Sequence, residues 1–526
     1  MTQLEHQTRR RRTFAIISHP DAGKTTLTEK LLLYGGAKDQ AGSVRDRKHQ
    51  SETTSDWLEL EKQRGISVSS TAMQFEYADH CINIVDTPGH RDFSEDTYRV
   101  LTAVDAAIMV LDLAKGIETQ TLKLFEVCRS RHIPIVTFVN KCDRPGKDPL
   151  AILDEIEETL SLQTYCANWP IGSGPAFQGL YDRYTQSLHR FDKNTGGRYK
   201  APVQITSGDR SPELPESLAS QIHDAIGLLD LAGHPLDEAA IATGKLTPVY
   251  FGSAVNNFGI QLLLEGFLRH APPPQPRKAG DRQIDPLHPA FSATVFKIQA
   301  NMDPNHRDRL AFLRVCSGQF RRELRAIHAQ TGKPVRLSFA HKLFGRDRET
   351  QEEAWPGDIL GITGQSDLDI GDTITEDPAI RYDPIPRFAP EAFAYFRNSD
   401  TRSFKRFRAG IDQLLQEKVA QRFHPLDALS NAPLLGSIGS LQFDVARYRL
   451  QNEYDVECRV ETAPWSVARW VHPDHSKASL RSLFLSGIAL ARDDWDNLAL
   501  LFESQWKLEY FQRNNDAIRL ASQPWS

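Results

Sequence analysis

The hydrophobic positions in the first part of the chain fall into runs about a strand long, separated by polar stretches with helical spacing. "TFAII" (13–17), "CINIVD" (81–86), "AAIMVLD" (106–112) and "IPIVTFVN" (133–140) are these runs. Near-continuous apolar strands alternating with helices predict a largely parallel sheet wrapped by helices, an α/β domain. Ligands of such sheets sit beyond the C-terminal ends of the strands, so polar motifs that follow the runs carry the chemistry.

The rhythm breaks between about 163 and 246, where "ANWPIGSGPAFQG", "DKNTGG" and a helical "PESLASQIHDAIGLLDLAG" follow one another. Because "PVYFGSA" (248–254) resumes the strand pattern, 163–246 reads as a subdomain inserted into a first domain of residues 1–280. "APPPQPRKAG" (271–280) reads as a stiff, extended linker. Short alternating strands with Gly turns then predict a β-barrel over 288–378. The last region, 388–526, mixes helices such as "SLQFDVARYRLQNEY" with strands such as "DVECRVE", giving a C-terminal α/β domain.

Composition narrows the picture. With 526 residues, 40% hydrophobic and 25% charged, the chain suits about three globular domains. No stretch approaches the ~20 apolar residues of a membrane span, and the short apolar run after Arg9–Arg12 is no signal peptide, so the cytoplasm is expected, with no membrane partner. The six cysteines are scattered without a C-x-x-C pair, which predicts reduced, buried thiols. A net charge of −5 argues against general affinity for nucleic acid, DNA included. RNA contact would come from local patches, and "RRRR" (9–12) and "TRSFKRFRAG" (401–410) are the two basic stretches. Phe404 and Phe407 in the second would either stack on bases or pack beneath a helix.

"SHPDAGKTT" (18–26) follows the first apolar run and opens a helix that ends at Gly35 and Gly36. It fits G-x-x-x-x-G-K-[ST] except that Ser18 stands in the place of the first glycine. Ser18, His19, Pro20, Asp21, Ala22, Gly23 and Thr26 would form a phosphate cradle with the helix N-terminus. Lys24 would reach the terminal phosphates and Thr25 would offer a hydroxyl to magnesium. "DTPGH" (86–90) follows the second run, placing Asp86 to hold magnesium through water and Gly89 to offer its N–H to a γ-phosphate.

"NKCD" (140–143) supplies base reading: the Asp143 carboxylate accepts from the ring N–H and exocyclic amine of guanine, a donor pair adenine lacks. Asn140 would bond nearby polar atoms, and the Lys141 stem would lie over the base. "GSA" (252–254), with Ser253 and Ala254, would complete the pocket through backbone N–H groups. In "EKQRGISVSS" (61–70), Ser67 would join the magnesium only while the γ-phosphate is present. GTP and GDP with Mg2+ are therefore the expected ligands.

In this order, an Asp before GKT, "RGIS", "DTPGH" and "NKCD" resemble the translational GTPases, and the insert followed by a barrel resembles elongation factor G. "SHPDAGKTT", "SDWLELEKQRGISVSS" (55–70), "FKIQANMDPNHRDRLAFLRVCSGQF" (296–320) and "GSLQFDVARYRL" (439–450) are similar to the class II release factors, the bacterial peptide chain release factor three family. The resemblance implies a P-loop GTPase domain with an inserted subdomain, a β-barrel and a C-terminal domain. It makes Ser18 the family's own letter, Asp21 a loop charge tied to a monovalent-cation site, and His90 the residue that positions the attacking water. It further implies GTP hydrolysis stimulated by the sarcin–ricin loop of the large ribosomal subunit, with dissociation of class I release factors after peptide release, by a protein acting as a monomer. Translocating elongation factors and ribosomal protection proteins share the motifs but carry further C-terminal domains. A sulfate-adenylylating GTPase subunit lacks so large an insert between Asp143 and Ser253.

Overall fold

The structure is a computed structural model and describes residues 1–36, 70–191, 200–208, 216–300, 309–344, 347–365, 367–426, 432–475, 480 and 487–525. Strands β1 (Arg11–Ser18), β2 (Thr71–Tyr77), β3 (His80–Asp86), β4 (Ala106–Asp112), β5 (Ile135–Asn140) and β6 (Gln163–Cys166) belong to the first domain. The insert adds β7 (Asn168–Ile171), β8 (Gly179–Asp182), β9 (Ser187–Phe191) and β10 (Val203–Ser207), and β11 (Leu246–Phe251) returns to the main sheet.

The main sheet runs β2-β3-β1-β4-β5-β11-β6, parallel throughout except for the β2–β3 hairpin. All of β4 and β5 is buried, as continuous apolar strands covered on both faces must be. Apolar residues of one face meet the helices Lys24–Tyr34 and Ile260–His270, and those of the other meet Ser94–Ala103, Thr119–Ser130 and Pro149–Leu160. Helix starts follow local chemistry: Asp148 accepts the Leu150 N–H at 2.9 Å, and Pro149 stands where a missing N–H costs nothing. The insert is an antiparallel sheet of order β10-β9-β8-β7 beside the helix Glu216–Ala232.

The stretch after the first domain is no plain linker, because Arg277–Ala279 and Arg282–Ile284 pair as a short antiparallel hairpin. Beyond it an antiparallel, barrel-like curled sheet spans Ser292–Ala300 to Thr373–Thr375 around its own apolar core. Its strand Ala340–Phe344 pairs with β2 through Phe344 and Met73, so one hydrogen-bonded sheet crosses from the first domain into the second. Buried ions reinforce the crossing: Asp105 pairs with Arg277 at 3.2 Å and also with Arg314, and Arg11 meets Asp358 at 2.8 Å.

The C-terminal region is an eight-stranded sheet with the helices Phe404–Gln416 and Leu441–Tyr454 packed on it. Every strand pair in it is antiparallel, so helices and strands are segregated rather than alternating as in the first domain. All six cysteines are buried and free of disulfides; burial pushes the thiols of Cys128, Cys142 and Cys166 up to about 12. Among the described residues no helix is long and apolar enough to cross a membrane.

The basic stretches divide. Arg11 turns inward to Asp358, and Arg10 and Arg12 donate to backbone carbonyls, so the first is occupied with holding the protein together. In the second, Phe407 is buried while Phe404 is 59% exposed beside exposed Arg402, Lys405 and Arg408.

Candidate nucleotide site

The site begins where β1 runs out. Ser18 is buried and its hydroxyl donates to the His19 carbonyl at 2.9 Å, a local bond that a glycine there would lack. The chain then turns through Asp21 (φ 66°) and Gly23 (φ 102°), both left-handed. A Cβ on Gly23 would overlap the Asn140 amide, so glycine is required there by both conformation and space. Gly23 caps the helix Lys24–Tyr34 without a side-chain bond, and the first turn of that helix lines an open cleft of about 1030 Å³. A helix N-terminus facing a cleft favours an anion through its N–H groups and dipole.

At the end of β3, Asp86 meets the Lys24 ammonium at 2.7 Å, and both side chains are buried. The turn that follows is pinned: Thr87 donates to the Ile16 carbonyl at 2.7 Å and Thr97 to the Pro88 carbonyl at 3.1 Å. Gly89 faces the phosphate loop, its missing Cβ 3.6 Å from Pro20. His90 lines the cleft half-exposed, and its Nδ1 accepts the Asp92 N–H at 3.2 Å. A neutral ring so held carries its proton on Nε2.

The other end of the cleft is organised by Asn140. Its Nδ2 donates to the Ala22 carbonyl at 2.9 Å, while its Oδ1 accepts the N–H groups of Lys141 at 2.8 Å and Ala254 at 2.9 Å. The Lys141 ammonium bonds the Asp21 carbonyl at 2.6 Å and Asp112 at 2.8 Å, which stretches its stem from one motif to the other. Burial raises the Asp112 carboxyl, but hydrogen bonds from Lys141 and the Ala114 N–H outweigh it and hold Asp112 below its ordinary value.

Ser18, His19, Pro20, Asp21, Gly23, Lys24, Thr25, Thr26, Gly89, His90, Asn140, Lys141 and Asp143 line this one cleft. Ala22 is buried behind it, and Asp86 lies against Lys24. The expectation for "GSA" needs correction. The Ser253 N–H bonds the Phe258 carbonyl at 3.0 Å and the Ala254 N–H is taken by Asn140, so one closes its own turn and the other supports Asn140, and neither N–H points free into the cleft. Val255, 50% exposed, and Arg144 line the cleft instead. Nothing in the motif distinguishes Val255, and Asp112 was equally hidden because its role depends on reaching Lys141 across two strands. Ser67 and the rest of "RGIS" lie outside the described residues.

Two features of the cleft bear on a phosphate-bearing ligand. Gly23 leaves room where a Cβ would meet the Asn140 amide, and the Lys24 ammonium, paired with Asp86, opens the helix whose next residue, Thr25, also lines the cleft. Among the described residues no group of three His, Cys, Asp or Glu side chains could hold a metal alone.

Comparison with known proteins places this arrangement. Residues 9–273 match the elongation factor Tu GTP binding domain, 290–377 match elongation factor G domain 2, and 382–512 match the class II release factor RF3, C-terminal domain. A solved crystal structure from Thermus thermophilus superposes with a TM-score of 0.69 at 23% identity, covering 92% of this chain and 72% of that one, a likeness of fold. Fold, site and family models together define a translational GTPase that binds guanine nucleotides. Proteins named peptide chain release factor 3 are 48% identical over 524 residues in Rippkaea orientalis (99% of this chain, 97% of the relative) and 51% identical over 511 residues in Gloeobacter violaceus (96% of each). The chain belongs to the peptide chain release factor 3 family.

Proposed function

We propose that the protein binds GTP with its phosphates on residues 18–26 and its guanine on Asn140, Lys141 and Asp143, and hydrolyses it when activated by the ribosome. The observation that carries this reading is that Asn140 joins the two motifs directly, through Ala22, at the edge of one cleft. Lys24 and the helix N-terminus hold the β- and γ-phosphates. Thr25 and Asp86 would hold a magnesium ion, with Ser67 as a further ligand; when bound, the ion neutralises charge on the phosphate oxygens. Gly89 offers its N–H to the γ-phosphate. His90, bound at Nδ1, presents its Nε2–H side to orient a water for in-line attack on the γ-phosphorus, with GDP leaving.

Family membership supports a biological act in translation termination. In the GTP form the protein engages a ribosome carrying a class I release factor, contacts ribosomal RNA at the sarcin–ricin loop, and promotes dissociation of that factor; hydrolysis then frees the GTPase. It would work in the cytoplasm as a monomer, and the exposed Phe404 with Arg402, Lys405 and Arg408 is the surface best suited to RNA. The domains that would share this work are 1–280, 288–378 and 388–526.

The test is a release-factor recycling assay on termination complexes, run beside GTP turnover with and without ribosomes. Ribosome-stimulated turnover and accelerated departure of the class I factor are expected. His90→Ala should lose the stimulated hydrolysis while binding GTP as before. Wild-type hydrolysis by that variant would refute the role of His90, and hydrolysis of ATP without ribosomes would refute the function.

A further inference from the structure

The three residues after His90 all lie against the C-terminal domain. Arg91 meets Glu391 at 2.7 Å, the Asp92 Oδ2 accepts the Leu441 N–H at 2.8 Å, and Phe93 packs with Val445, Leu441 and Tyr448. The middle contact is the most specific. The helix Leu441–Tyr454 has Ser440 at its N-cap in helical conformation, with no side-chain bond to its own first turn. A helix start without its own cap leaves N–H donors to be met from elsewhere, and here an aspartate from another domain supplies an acceptor. Room for that carboxylate exists because residue 439 is glycine, since a Cβ there would overlap Asp92. Gly439 and Leu441 belong to "GSLQFDVARYRL", the C-terminal motif that nucleotide binding leaves unexplained.

Asp92 also faces His90. Its N–H donates to Nδ1, and its Oδ1 lies 3.5 Å from the same nitrogen. One residue therefore holds the ring orientation of His90 with one half and the helix of a distant domain with the other.

We infer that Asp92 is a positioning residue that couples His90, and through it the nucleotide cleft, to the docking of the C-terminal domain, with Gly439 and the Leu441 N–H forming the receiving side. The inference rests on the reading of the cleft given above. If the contact ties docking to the cleft, linkage requires the reciprocal effect: a change confined to Gly439 must alter how the cleft distinguishes GTP from GDP.

The experiment measures the affinities of the full-length protein for fluorescent GDP and for a fluorescent, non-hydrolysable GTP analogue, with thermal melting as a check on folding. Asp92→Ala and Gly439→Ala are each expected to change the ratio of the two affinities about fivefold or more, in the same direction, and the double variant no further than either alone. Asp92→Asn keeps an oxygen that accepts the Leu441 N–H and should stay within about twofold of wild type, a rescue that a general loss of stability would not give. If Gly439→Ala does not fold, the contrast of Asp92→Ala with Asp92→Asn decides. Unchanged ratios in folded Asp92→Ala, or additive effects in the double variant, overturn the coupling while leaving the nucleotide site intact. Failure of the wild type to bind either nucleotide would overturn the reading of the cleft itself.

Discussion

Asn140 donates its side-chain amide to the carbonyl of Ala22 at 2.9 Å, so the residue that opens the base-reading motif is built into the wall of the phosphate loop. Asn140→Ala would leave the buried Ala22 carbonyl and Ala254 N–H without this partner, at a cost of about 1–3 kcal/mol. GTP and GDP should weaken together, because both ends of the cleft loosen. Calorimetric titration of the two nucleotides checks this, and selective loss of GTP alone would contradict it.

The Lys141–Asp112 pair makes the cleft acid-sensitive. Asp112 is held below its ordinary value in the folded protein, so its stabilisation is complete above about pH 4 and is lost as pH falls through the lower folded value. Asp112→Asn should lose about 1.5–3 kcal/mol at neutral pH and show a correspondingly smaller loss of stability on acidification. Unfolding followed from pH 7 downward in both proteins measures the difference.

In the proposed reading base selectivity rests on Asp143, which is half-buried at the edge of the cleft. Asp143→Asn replaces an acceptor with a group that can donate, which mismatches guanine and matches the second carbonyl of xanthine. Competition binding should show GTP weakened at least about tenfold, as expected when a charged hydrogen bond of about 1.5–3 kcal/mol is lost, and xanthosine triphosphate gained. Retained preference for GTP would place the base elsewhere.

At the junction of the first two domains, Asp105 is almost wholly buried against Arg314 and Arg277. Asp105→Ala should destabilise the protein by about 3–5 kcal/mol, because it strands the buried Arg314 charge. Chemical denaturation monitored by tryptophan fluorescence tests it, and a change below about 1 kcal/mol would show that water reaches the pair.

Much of the candidate site was legible because its chemistry is local: Ser18 and Asp86 end strands whose apolar runs mark the sheet, and Gly23, Lys24, Gly89 and Asp143 come shortly after such strands. What stayed hidden depends on contacts between distant segments. The Ser253 and Ala254 amides are consumed by Phe258 and Asn140, and no spacing rule says whether an N–H points outward or is already taken. The barrel was readable from its alternation, yet its pairing to β2 was not, because an edge strand carries no sign of the partner it will meet. The same holds for Asp92, an acidic residue like any other in the sequence until the helix at Leu441 is brought to it.

The backbone pairing between Met73 and Phe344 and the ion pairs of Asp105 fasten the first two domains to each other through main chain and buried charge at once. Strain applied to either of these domains would therefore be shared by both before the seam between them opened.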